Sequence, residues 1–137
     1  ENPIKTYPAL KDEACPVVIG YLPATAVYEL YVHWLRGRIP AIKSKEELKT
    51  SATKYFKVVE LRLDDYIESA KIKVEGDKTL REVPELAGRS LSIVDTTLVW
   101  LAQKLRIPIV TGDKDLVHVA KKRGITRYGN QCYDRNV

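Results

Sequence analysis

The feature that most constrains this chain is an alternation of short apolar runs with helical patterns about 10–15 residues long. Val17-Val18-Ile19-Gly20-Tyr21 is a compact apolar run fit for a buried strand. Pro23 leads into a strongly apolar helix over Ala24 to Arg36, ended near Gly37 and Pro40. A second helix spans Ser44 to Lys57, with Ser44 as N-cap and Glu47 completing a capping box. Val58 to Leu61 reads as a short strand, and Asp64 to Val74 as a helix capped by Asp64. Glu75 to Arg89 carries Gly76, Pro84 and Gly88 and reads as a long loop. Ser92 to Leu105 is a clear helix, followed by a strand over Ile107 to Thr111 whose proline sits at its start. Asp115 to Arg123 is a short helix stopped by Gly124, and Ile125 to Tyr128 a last edge strand. Strands separated by helices predict an α/β fold: a three-layer α/β/α arrangement around a central parallel sheet.

Composition bounds the function. At 137 residues, with no composition break or repeat, the chain is expected to be one domain over 1–137. Its apolar stretches fall short of the roughly 20 residues of a membrane span, so a cytoplasmic protein is expected. Cys15 and Cys132 form no C-x-x-C and lack a histidine at finger spacing, which argues against zinc and leaves a single bridge open. Three Asn, two Gln and no Met beside plentiful Lys and Glu lean toward a thermophile. Phosphate-cradling G-x-x-x-x-G-K-[ST] and G-x-G-x-x-G motifs are missing, as is a G-x-S-x-G elbow.

The carboxylates carry what chemistry there is. On a helical wheel, Glu29, His33 and Arg36 share the narrow polar strip of an otherwise greasy helix. A solvated strip with an i,i+4 Glu29–His33 contact explains this as well as a polar cleft does, and the wheel alone favours the former. Asp95 lies three residues after Ser92, as in a capping box. In Thr111-Gly112-Asp113-Lys114-Asp115-Leu116, Asp113 sits between strand and helix, where Asp is a common N-cap. Singly, each acid has a structural explanation. Together they stand at the carboxyl ends of strands or in the opening turns of helices, where open α/β sheets bind ligands. Converging carboxylates repel unless protonated or bound to a cation, and an all-oxygen set selects Mg²⁺ or Mn²⁺.

The segments Gly88 to Ala102, Ile109 to Leu116 and Pro23-Ala24-Thr25-Ala26-Val27-Tyr28-Glu29-Leu30 resemble those of a PIN domain, over roughly Val17 to Tyr128. The helix Asp followed by a strand ending Thr-x-Asp-x-Asp is the more specific part. The resemblance implies an Mg²⁺- or Mn²⁺-dependent ribonuclease for single-stranded RNA. By motif Glu29, Asp95 and Asp113 would be metal ligands, Asp115 an auxiliary carboxylate, and Thr111 the hydroxyl that orients the cluster. Small prokaryotic members are mostly VapC-type toxins held by a cognate antitoxin, and the family commonly forms homodimers. A PIN nuclease in RNA processing, or a degenerate module that binds RNA or protein without cutting, are the alternatives. The net charge of +5 gathers between Lys104 and Arg127, with seven Lys and Arg against two acids. There Lys114, Lys121, Lys122, Arg123 and Arg127, with Arg89 further upstream, would track an RNA backbone, or simply solvate a helix face.

One departure from the family pattern stands out. PIN domains open with a strand ending in an Asp that is the first metal ligand, and nothing before Val17 reads as that strand. Glu1 to Ala14 looks instead like the helical stretch that normally follows it. With no Met in the chain, a segment of about 15 residues bearing that strand is expected ahead of Glu1. The faint echo of Asp-x-Asn-Val at Asp134 to Val137 offers a less favoured substitute.

Overall fold

Local hydrogen bonding starts and stops the helices, and their packing sets everything else. The computed structural model describes residues 6–7, 17–18 and 20–129. Cys15, Cys132, Asp134 and most of the 1–14 stretch lie outside the described residues.

In chain order the elements are β1 (Thr6–Tyr7), β2 (Val17–Val18), β3 (Gly20–Pro23), α1 (Ala24–Leu35), α2 (Lys45–Tyr55) and β4 (Phe56–Val59). Then come α3 (Leu63–Arg81), a 3-10 turn (Pro84–Leu86), α4 (Ile93–Leu105), β5 (Ile109–Val110), α5 (Lys114–Lys122) and β6 (Arg127–Tyr128). The fold is α/β, with parallel strands joined through helices. β3 pairs with β4 in parallel register from Gly20 opposite Phe56 to Pro23 opposite Val59. β5 pairs with β6, Ile109 opposite Arg127 and Val110 opposite Tyr128. Pairing among the described residues falls into three two-stranded pieces, the third an antiparallel contact of β1 with β2. A helix over 1–14 was the expectation, yet Thr6–Tyr7 is strand. Tyr7 precedes Pro8, which pushes it toward extended backbone, and Thr and Tyr both favour strands.

The caps form as the sequence predicts at two helices. Ser44 Oγ accepts from the Glu47 amide at 3.1 Å, and Ser92 and Asp95 satisfy each other's backbone amides at 3.0 and 3.1 Å. At α3 the expected cap, Asp64, is exposed, and Asp65 takes the role by accepting the Arg62 amide at 2.8 Å. The larger correction is the length of α3, which runs to Arg81 through the stretch expected to be loop. Gly76 breaks no turn there. A Cβ at that position would lie 2.4 Å from Leu91 Cδ1, so the glycine is what lets α3 approach the chain ahead of α4.

The core sits in the C-terminal half. Ile72 and Leu80 of α3 meet Leu91, Val99 and Ala102 around α4, together with Ile109, Leu116, Val119, Ala120 and Ile125. Helix α4 is central, packing against α1, α3, α5, β3 and β5.

Candidate active site

The acidic turn after β5 is knit by hydrogen bonds in series. The Thr111 amide donates to Tyr128 O at 2.9 Å, continuing the strand pairing by one residue. Thr111 Oγ1 accepts from the Asp113 amide at 3.0 Å, and Asp113 Oδ1 from the Asp115 amide at 3.0 Å. Asp115, buried, receives Arg89 Nη1 on Oδ1 at 3.1 Å. Asp113 is exposed and caps α5, as its sequence position predicts. One turn on from Asp115, the Nε2 of His118 is buried without a hydrogen-bond partner among the described residues.

Asp95 occupies the first turn of α4, half-buried, with Oδ2 committed to the Ser92 amide. Two residues on, the fully buried Thr97 shares a 2.6 Å hydrogen bond with Thr25 in the first turn of α1. That bond joins the amino-terminal turns of α1 and α4, and Glu29 stands exposed one turn further along α1. His33 is bonded not to Glu29 but to Arg38, Nδ1 to Nη1 at 3.3 Å.

The segment ahead of α4 is held by residues that the sequence reading passed over. Asp77 accepts the Leu91 amide on Oδ1 at 2.8 Å, and Ser90 Oγ and Lys73 Nζ on Oδ2 at 3.3 and 2.9 Å. Lys73 also donates to Ser90 Oγ and Leu91 O, both at 2.7 Å. Burial raises the affinity of the Asp77 carboxyl for its proton, but the bonds from Leu91, Lys73 and Ser90 outweigh it and hold the pKa below the usual value. The clue was the i,i+4 spacing of Lys73 and Asp77, hidden by reading Gly76 as a loop residue.

A second clamp fixes the far side of α4. Asp65, on α3, accepts Trp100 Nε1 on Oδ1 at 2.8 Å and Lys104 Nζ on the same oxygen at 2.9 Å. The Trp100 indole, then the Arg62 amide and Lys104, pull its pKa down to about 2. No local signal marked this residue out, because its partners lie on another helix.

The cationic residues divide in two. Arg123 binds Gln103 Oε1 at 3.0 Å and Glu75 Oε1 at 2.9 Å, and Lys122 stands 3.6 Å from Glu82. Both tie α5 to its neighbours. Arg127 donates to Ile125 O at 3.4 Å. Lys114 and Lys121 are exposed on α5.

Residues 6–122 match the family described as PIN domain. The chain belongs to the PIN domain family. A comparison with curated proteins finds no match. PIN domains are in general nucleases, commonly with divalent metals, and membership suggests a nuclease. The donor chemistry suits such an ion. Asp95 and Asp113 each commit one oxygen to a backbone amide, and the other accepts no hydrogen bond from the described residues, a hard-oxygen chemistry appropriate to Mg²⁺ or Mn²⁺. Among the described residues, however, no three Asp, Glu, His or Cys side chains stand close enough to hold an ion. Nor is any helix among them long and apolar enough to cross a membrane.

Proposed function

We propose that this PIN domain protein is a metal-dependent endoribonuclease that cleaves single-stranded RNA, the toxin of a type II toxin–antitoxin pair working in the cytoplasm as a homodimer. The observation that carries the reading is the bonded series from Thr111 through Asp113 and Asp115 to Arg89. It fixes an acidic turn and a guanidinium beside each other, the pairing a phosphodiester and its counter-ion require.

In this reading Glu29, Asp95 and Asp113, which do not by themselves converge into a three-ligand set among the described residues, would each contribute oxygens to Mg²⁺ or Mn²⁺, and Asp115 would serve as an auxiliary carboxylate. When bound, the ion supplies an acidified water and a clamp on the phosphodiester. Thr111 positions Asp113 through its amide, and the Ser92 cap fixes the Asp95 side chain. Arg89 and Lys114 meet the phosphates beside this centre. Lys121, Lys122, Arg123 and Arg127 extend the cationic track along the strand, while Lys122 and Arg123 also brace α5. The VapC assignment adds one partner, an antitoxin covering the acidic centre.

The test exploits the caps. Asn is as good an N-cap as Asp at position 113, and at position 95, the third residue of α4, its amide oxygen can still accept from the Ser92 amide, so Asp113→Asn and Asp95→Asn keep local structure while removing a charge. Both are expected to lower Mn²⁺-dependent cleavage of a single-stranded RNA by about a hundredfold or more, as deleting a charge-stabilising group does. Unchanged cleavage in both variants refutes the assigned residues. RNA bound but never cut by the unaltered protein, across Mg²⁺ and Mn²⁺, turns the reading into a binding module. A small upstream reading frame whose product blocks cleavage supports the toxin assignment over an RNA-processing nuclease.

A further inference from the structure

The chain between the 3-10 turn and α4 belongs to no helix or strand, yet it carries Arg89, which reaches Asp115 of α5. Backbone groups in such a segment need partners from elsewhere. Helix α3 supplies them from Lys73 and Asp77, one turn apart on the same face. Both backbone groups of Leu91 are taken. Its amide donates to Asp77 Oδ1 at 2.8 Å, and its carbonyl accepts from Lys73 Nζ at 2.7 Å. Lys73 turns its other donors on Ser90 Oγ at 2.7 Å and Asp77 Oδ2 at 2.9 Å, so the ammonium is fully engaged. Ser90 Oγ donates in turn to Asp77 Oδ2 at 3.3 Å, which closes a ring of bonds.

Stability alone does not call for this ring. The Leu91 side chain is buried in the core beside Gly76, so apolar burial already ties the segment to α3. An i,i+4 ion pair whose lysine is 44% exposed adds little to that. Burial has no direction, whereas hydrogen bonds weaken steeply off axis, so what the ring adds is orientation. It can pass that orientation to either side. On the C-terminal side, Ser92 and Asp95 cap each other at the start of α4 and need no outside hold. On the N-terminal side, Arg89 has less. Among the described residues its amide bonds Leu86 O at 3.0 Å, and its side chain, 52% exposed, makes one Nη1 contact with Asp115. The other guanidinium donors are uncommitted there.

We infer that Asp77, together with Lys73 and Ser90, is a positioning residue that aims Arg89 at a phosphate of single-stranded RNA. Asp77 itself touches no substrate. It acts through Ser90 and the Leu91 peptide on the direction in which the chain presents Arg89. The inference rests on the proposed RNA reading and extends it to a helix outside the acidic turn.

The sign of the Asp77 charge makes the test sharp. Removing an acid from an RNA-binding protein strengthens binding by charge alone, whereas the inference requires binding to weaken. Fluorescence anisotropy of a labelled single-stranded RNA with the full chain, free of metal and over a salt series, reads this without cleavage. Arg89→Ala and Asp77→Ala are each expected to weaken binding about tenfold, the scale of one charge-assisted contact. Each should also flatten the slope of log affinity against log salt by about 0.7, one phosphate on a single strand. The double variant is expected to bind as Arg89→Ala does, because Asp77 has nothing left to aim. Ser90→Ala, which changes no charge, is expected to weaken binding less. Circular dichroism checks that the helices persist, and if Asp77→Ala loses them, Ser90→Ala decides, alone and combined with Arg89→Ala. Unchanged or tighter binding by the deciding variant, losses that multiply in the double variant, or a chain that binds no RNA overturns the inference. Cleavage with Mn²⁺ is read in parallel. RNA bound in this pattern but left uncut refutes the nuclease reading and leaves the role of Asp77 standing.

Discussion

Helices α1 and α4 are nearly the same length, 12 and 13 residues, and both are strongly apolar, yet they end in different surroundings. Helix α4 buries Thr96, Thr97, Val99, Leu101 and Ala102, whereas α1 buries no residue fully and leaves Tyr28 and Leu35 more than two-thirds exposed. The difference is in the neighbours. α4 is surrounded by three helices and two strands, while α1 touches α4 and the β3–β4 pair. An apolar sequence states that a helix can be covered, and the number of elements around it decides how far it is. In this protein stability is concentrated around α4, and the proposed chemistry lies at its amino-terminal turn.

The contrast can be broken by mutation. Leu80, fully buried between α3 and the rest of the core, should have the largest effect. Leu80→Ala is expected to destabilise the fold by about 2–5 kcal/mol in denaturant melts, the range for emptied core positions. A loss under about 1 kcal/mol would mean that the C-terminal core is not where stability resides.

The Asp65 clamp on α4 comes next and is sensitive to pH. Its pKa is depressed from 3.8 to about 2 in the folded chain, so its stabilisation is present above pH 4. It disappears as pH falls from 3.8 through 2. A shift of that size corresponds to about 2 kcal/mol. Asp65→Asn, which still accepts from Trp100, should lower stability by about that much at pH 6 and much less near pH 2.5. Equal losses at both would assign the effect to packing instead of charge.

The smallest effect is expected on α1. Leu35→Ala at its 75% exposed position should change stability by no more than about 0.5 kcal/mol. A cost comparable to that of Leu80→Ala would show that α1 is covered in solution and erase the contrast with α4.

Most of the fold was legible wherever the physics is local. The helix over Ala24, the Ser44 and Ser92 caps and the strand leading to Thr111 rest on periodicity and on bonds spanning three or four residues. The same is true of Asp113 as a cap. Gly76 was misleading for the opposite reason. In isolation a glycine weakens a helix, and only the proximity of Leu91 shows why this one is tolerated. Asp65 was missed beside Asp64 because the groups that distinguish them, Trp100 and Lys104, lie 35 and 39 residues away.

The sequence alone therefore determined the elements from β3 to α2 and from α4 onward, their order and the turns bearing the acidic residues, since each depends on neighbours within one helical turn, but not the C-terminal turns of α3 or the strand at Thr6–Tyr7. Only the tertiary structure decided which carboxylates are occupied by other tasks. Arg89 takes Asp115 across 26 residues, Thr25 meets Thr97 across 72, and Asp77 anchors the chain ahead of Asp95. Such pairings arise where packed elements bring distant groups together, and no local pattern encodes them.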